Sequence, residues 1–282
     1  MGESFIAFRG SDAVASGATT PYALRSKCVA VYPGVYVPRE TTLTAIDRAA
    51  AAWLWSRCRA VVAGQSAAAL HGAKWVDGRR PAELLWPNRH APQGISTWSD
   101  RFSDDEIEVI DGMRVTTPAR TALDLACRYP LGKAVAAIDA LANATQLKMA
   151  DVELLAERYP GRRGIVKARK VLDLVDPGAE SPQETWLRLV VIRNDFPRPQ
   201  TQIPVYDEFG VLVAVFDLGW EDLKLAMDYE GEHHWLTRSR LNRDIRKAEA
   251  VAELGWIDLR VTADDTEGGI VRRLSAAWQR RT

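Results

Sequence analysis

Apolar positions along this chain follow two periods, and the switch from one to the other marks out its elements. A helical stripe runs through Thr44–Cys58, where Ile46, Ala49, Ala50, Trp53 and Leu54 recur at helical spacing, and further amphipathic runs cover Leu131–Ala144, Ala150–Arg158 and Gly164–Val175. Such a stripe is stable only when buried, so these positions are the expected core of the middle of the chain. An alanine-rich helix, Ser66–His71, stops at Gly72. Strand-like runs are Ala82–Trp86, Ile95–Trp98 and Ile107–Ile110, the last returning through Asp111-Gly112 into Met113–Thr116. Thr117-Pro118 then opens a helix through Cys127, with a capping hydroxyl ahead of a proline at the first helical position.

Residues 1–40 have an order of their own. Ser11–Ser16 reads as a short helix, Gly17–Thr20 as a turn, and Thr20-Pro21 as the start of a helix ending at Lys27; Val29–Pro38 gives two β runs around Pro33-Gly34. Helix, turn, helix and hairpin is the order of a winged helix-turn-helix, a module that serves protein interaction as well as DNA binding.

Beyond Asp176–Glu180, the expected domain boundary, Ser181-Pro182-Gln183-Glu184 has the form of a capping box and leads a helix whose apolar face is Leu187, Val190 and Val191. Val211–Trp220 and Leu223–Glu230 read as a hairpin turning at Glu221-Asp222; Leu236–Leu254 as a basic helix stopped by Gly255; and Trp256–Val261 as a short strand. Alternation puts Lys224, Ala226, Asp228 and Glu230 on one strand face and Leu225, Met227 and Tyr229 on the other. Asp217, Asp228 and Glu230 therefore sit among apolar strand residues, where an uncompensated carboxylate costs several kcal/mol, on the order of a lost buried hydrogen bond or more. Such acids call for a proton or a cation.

Composition narrows the classes. Of 282 residues 47% are hydrophobic and the formal charge is zero, so affinity for nucleic acid has to come from local patches. Those patches are Arg162-Arg163 with Lys167, Arg169 and Lys170; Arg238, Arg240, Arg243, Arg246 and Lys247; and Arg272-Arg273 with Arg280-Arg281. Cys28, Cys58 and Cys127 are widely spaced and form no CxxC, which argues for a reducing compartment over a disulfide framework or zinc site. The longest apolar run, Ala49–Trp55, is too short to cross a bilayer, and no signal peptide opens the chain, so a cytosolic protein without membrane contact is expected. Neither GxxxxGK[ST], GxGxxG nor GxSxG occurs. His71, alone on an apolar helix, reads as a packed, hydrogen-bonded histidine.

Two resemblances bear on function. SPxET, PxPQ, FDL, the Asp228-Tyr-Glu230-Gly run with His234, R-D-I-R-K and G-W-x-x-x-R resemble the DUF559 domain, a relative of the very-short-patch repair endonucleases within the PD-(D/E)xK restriction-endonuclease-like nucleases. The resemblance covers residues 179–282 and implies metal-dependent phosphodiester hydrolysis of DNA, with Glu184, Asp217, Asp228 and Glu230 holding Mg²⁺ or Mn²⁺ and His234 or Lys224 positioning water. The chain departs from that family in having Asp-x-Glu for Glu-x-Asp, and Glu230 where the family's lysine stands. The hairpin motif YPGVYVP is similar to the N-terminal domain of AbiEi-family antitoxins, which are DNA-binding autoregulators, and TTPARTALDLA, which shows no clustered chemistry of its own, is similar to their central region. The resemblance implies that Pro21–Lys27 is a recognition helix with Tyr22, Arg25, Ser26 and Lys27 as candidate DNA contacts, arginine and lysine being suited to guanine edges and phosphates.

The expected architecture is thus α/β, α+β overall: a winged helix at 1–40, a mostly helical region with a small sheet at 41–178, and a restriction-endonuclease-like core at 179–282. Two functions fit it. One is a metal-dependent DNA endonuclease; the other is a non-catalytic DNA-binding autoregulator or antitoxin with a cognate toxin as partner and a degenerate nuclease fold.

Overall fold

The structure, a computed structural model, describes residues 6–88, 90–231 and 247–282. The chain divides into two compact units, Met1–Val175 and Asp176–Thr282, and is mixed α/β in both, with three sheets among the described residues.

The first unit opens with β1 (Phe8–Arg9), α1 (Gly10–Ala15), α2 (Pro21–Lys27), β2 (Cys28–Tyr32) and β3 (Val35–Pro38). The strands form an antiparallel sheet in the order β1-β3-β2. Gly10 is required where α1 meets this sheet, because a Cβ there would lie 2.6 Å from the Tyr36 ring. α3 (Ala45–Trp55) follows, held by a full capping box between Thr44 and Asp47. Its Ala49–Ala52 face is fully buried in one core cluster with Tyr32, Val35 and Val37 of the first sheet and Val62, Leu84, Met113 and Val115 of the second.

That second sheet has five strands in the order β6-β5-β4-β8-β7: β4 (Val61–Val62), β5 (Ala82–Leu85), β6 (Ile95–Trp98), β7 (Ile107–Ile110) and β8 (Met113–Thr116). It is larger than the small sheet expected, because the two-residue β4, invisible to any period-two pattern, pairs with both β5 and β8 and joins the flanking runs. The Asp111-Gly112 turn forms with both residues at positive φ, pairing Ile110 with Met113. The helices are α4 (Gly64–Leu70), α5 (Pro118–Arg128), α6 (Leu131–Thr145), α7 (Met149–Glu157) and α8 (Ile165–Leu172).

In the second unit α9 (Pro182–Arg193) is followed by β9 (Gln200–Tyr206), β10 (Leu212–Trp220), β11 (Leu225–Glu230), the helical residues 247–253 (α10), β12 (Ile257–Thr262) and α11 (Glu267–Gln279). The sheet order is β12-β11-β10-β9, with β11 parallel to β12 and the other pairs antiparallel. Leu225 and Met227 pack with Leu187 and Val190 of α9 and Ile270 and Leu274 of α11, while Ala226 packs with Phe216 and with Val251 of α10. Alternation along β11 thus places these two clusters on opposite faces of the strand. β9 was not expected, since its apolar residues are interrupted by Gln202 and Pro204, an edge-strand composition.

Two local expectations change. Ser181 caps α9 as expected, but the Glu184 carboxylate accepts from the Glu180 N–H at 2.7 Å rather than from the cap residue's own amide. Lys224 is not on the β11 face. Glu221–Leu223 form a 3-10 turn, and the chain re-enters the sheet only by taking Lys224 into the left-handed region at φ 45°. Its Nζ donates to the Leu254 carbonyl at 3.0 Å, at the end of β11 away from Asp228.

Candidate functional sites

α2 is the first candidate. Thr20 caps it by accepting from the Ala23 N–H at 3.1 Å, and none of its residues is buried. Tyr22 is 76% exposed, and Arg25, Ser26 and Lys27 are exposed with it. The Ser26 hydroxyl donates back to the Tyr22 carbonyl at 3.0 Å. A residue that the sequence reading passed over fixes the other end. Arg39, just beyond β3, donates from Nε to the Ser26 carbonyl and from Nη2 to the Arg25 carbonyl, both at 2.9 Å, satisfying carbonyls that a helix end leaves open.

The second candidate is the acid cluster of the second unit. The β10–β11 ladder runs from Trp220 with Leu225 to Leu218 with Met227, and one step further Asp217 faces Asp228. There the side chains replace the ladder: the Asp217 N–H donates to Asp228 Oδ1 at 2.9 Å and the Tyr229 N–H donates to Asp217 Oδ2 at 2.7 Å. Burial, reinforced by the Asp228 and Glu184 charges and opposed by the Tyr229 amide and Lys247, pushes the Asp217 pKa up to about 7. Burial likewise raises Glu184. Lys247 Nζ lies 3.5 Å from Asp228 Oδ2, and Glu230 leans on Arg260 at 3.4 Å.

Asp258 of β12, opposite Ala226, joins this group and was missed. It is raised by burial and by Asp228, with Arg260 opposing, and its Oδ1 has no hydrogen-bond partner among the described residues. Alternation through Trp256–Val261 could have found it, because Asp258 and Arg260 share the face of Asp228.

The Mg²⁺ or Mn²⁺ that the nuclease resemblance implies meets a site already engaged. Asp217 and Asp228 each hold a backbone amide, Glu184 holds the Glu180 amide, and Lys247 Nζ stands 3.5 Å from Asp228. Among the described residues no three His, Cys, Asp or Glu side chains converge closely enough to hold a metal ion. His234, Arg240, Arg243 and Arg246 lie outside the described residues.

The third candidate corrects the expectation that TTPARTALDLA carries no clustered chemistry. Arg120 and Asp124, one helical turn apart on the buried face of α5, anchor an ionic network. Arg120 is fully buried; it donates from Nε to Asp124 at 2.9 Å and from Nη1 to Glu106 and to the Arg101 carbonyl. Tyr159 donates to the other Glu106 oxygen at 2.6 Å. Arg162 bridges Asp124 to Asp100, and Arg128, its guanidinium 4.1 Å over the Trp98 ring, reaches the same Asp100 oxygen. The Arg120–Asp124 pair, at i,i+4 on one helix, was within reach of a local reading, whereas Glu106, Asp100, Tyr159 and Arg162 come from segments far apart in sequence that no local pattern joins. His71 is structural, donating from Nε2 to the Thr116 carbonyl at 2.7 Å.

Residues 60–174, which contain this network, match the family model of the AbiEi antitoxin C-terminal domain. Over 237 residues the chain is 30% identical to the uncharacterized protein Rv2248 of Mycobacterium tuberculosis strain H37Rv, covering 84% of this chain and 86% of the relative. The uncharacterized protein MT2308 of strain CDC 1551 matches with the same identity and coverage. No solved structure matches the chain. Among the described residues no helix is long and apolar enough to cross a membrane.

Proposed function

We propose, from the premise that this chain belongs to the family of these Mycobacterium tuberculosis proteins and carries an AbiEi antitoxin C-terminal domain in residues 60–174, that it is a DNA-binding regulator of a toxin–antitoxin pair. The domain match is the observation that carries the reading. The N-terminal elements support it, since α1, the turn, α2 and the β2–β3 hairpin have the order of a winged helix-turn-helix. In this reading α2 enters the major groove, with Arg25 and Lys27 on base edges or phosphates and Tyr22 and Ser26 beside them, while the Pro33-Gly34 hairpin is the wing. Arg240, Arg243, Arg246 and Lys247 would add phosphate contacts. The partners are duplex DNA and a cognate toxin. The test is binding to the DNA upstream of the chain's own gene by the wild type and by an Arg25→Ala/Lys27→Ala double variant. Wild type should bind and the double variant should lose most of that affinity.

A second reading, a nuclease-like module at residues 179–282, has one observation in its favour: burial, with the Asp228 and Glu184 charges adding to it, raises the Asp217 pKa to about 7. Carboxylates gathered in this way are a cation's natural surroundings. The Lys247 contact and the amide-bound oxygens favour instead a module that keeps the acids for structure, so the regulator is the preferred reading.

A further inference from the structure

The AbiEi-like domain contains a cavity of about 440 Å³ lined by Asp100, Cys127, Arg128, Arg162 and Arg163. Three arginines against one carboxylate give the wall an excess of positive charge. The one carboxylate is already committed: Asp100 Oδ2 accepts from Arg128 and from Arg162, both at 2.7 Å. Burial works against its charge, but Arg128 and Arg162 outweigh it and hold its pKa below the usual range.

The arginines are positioned rather than draped. The Arg128 guanidinium stands over the Trp98 ring, 4.1 Å from its centroid. The Arg162 side chain is 10% exposed, is tied to Asp124 and Asp100 through Nη2, and has no hydrogen-bond partner for its buried Nη1 among the described residues. The loop carrying Arg162 and Arg163 is pinned by Gly164, where φ is +89° and a Cβ would lie 2.4 Å from the Cys127 carbonyl oxygen. Only glycine lets the loop come this close to the end of α5. Arg163 is exposed and makes no hydrogen bond or ion pair among the described residues.

We propose that this cavity binds a phosphate group, with Arg163 as the free cation that meets the ligand and Arg128 and Arg162 as the pre-oriented wall. Planar guanidiniums held by other groups lose little freedom on binding and match phosphate oxygens two at a time. The cavity accommodates a group larger than one phosphate, so pyrophosphate is the probe. The site is independent of α2 and of the acid cluster.

The experiment is calorimetric titration of the full chain with pyrophosphate, for wild type, Arg163→Ala and Arg163→Glu. Arg163 is chosen because it is exposed and outside the Arg120–Asp124–Arg162 network, and the thermal midpoints of the variants check that both fold. Wild type should bind saturably; Arg163→Ala should bind about tenfold more weakly, as expected for losing one charge-assisted contact; Arg163→Glu should not bind. A short DNA duplex in competition identifies the source. Displacement of pyrophosphate, with the duplex weakened equally by Arg163→Ala, assigns the phosphate to DNA; no displacement assigns it to a small phosphorylated molecule. Absence of saturable binding by wild type, or an unchanged affinity in folded Arg163→Ala, overturns the proposal.

Discussion

At Asp217 the fold holds a carboxyl where its charge is disfavoured, by burial first and by Asp228 and Glu184 next. Its pKa rises from the ordinary 3.8 to about 7, so the folded state takes up the proton more readily than the unfolded chain does. The stabilisation this gives is complete below pH ~4 and is lost as pH rises through about 7, with a span on the order of 4 kcal/mol. Urea midpoints should fall across that window for wild type, while Asp217→Asn, which needs no proton, should lose most of the slope. Millimolar Mg²⁺ that restored the wild-type midpoint at pH 8 would favour the nuclease-like reading; no effect would favour the regulator.

Arg120 makes the opposite residue-scale case. It is a fully buried cation with Glu106, Asp124 and Tyr159 arranged around it, and removing it strands two carboxylates in the core. Arg120→Ala should therefore cost about 3–5 kcal/mol, read as a drop in urea midpoint, and a simultaneous change of Glu106 and Asp124 to neutral residues should recover part of it.

Among the elements, those specified by neighbouring residues were legible. Thr20-Pro21, Thr117-Pro118 and Ser181-Pro182 each cap a helix at the expected place, and Asp111-Gly112 makes its turn, because a hydroxyl, a proline ring and two positive φ angles act over a few residues. β4 and β9 were not legible: one is two buried valines and the other an edge strand with Pro204. Lys224 was misplaced because alternation assumes an unbroken strand, and the 3-10 turn breaks it. The site was only half visible for the same reason. Asp217 and Asp228 face each other along one hairpin, whereas Arg120 finds Glu106, and Arg162 finds Asp100, only through the fold. Asp258 was within reach of the alternation argument that found Asp228.

α2 gives the prediction proper to this scale. Its C-terminal carbonyls are held by Arg39, so Arg39→Ala should fray α2 without unfolding the unit. Amide exchange should quicken over residues 21–27 and stay unchanged in α5. If α2 reads DNA as proposed, affinity should fall about tenfold through the loss of helix order, and Arg39→Lys, which cannot make both bonds, should recover only part of the loss.

For the whole molecule the decisive fact is a formal charge of zero. No general field draws this chain to DNA, so any affinity depends on where cations are placed, and the log of the binding constant should fall with log salt at about 0.9 per phosphate neutralised. The most direct test of the regulator reading is fluorescence anisotropy of a labelled duplex from upstream of the chain's own gene, beside a scrambled duplex, across a salt series, for wild type and Arg25→Ala/Lys27→Ala. A regulator that reads its own promoter should bind the upstream duplex more tightly, with a steep salt dependence and a slope shallower by about two in the double variant. Equal affinity for both duplexes, or wild-type and variant curves that coincide, would contradict the regulator reading.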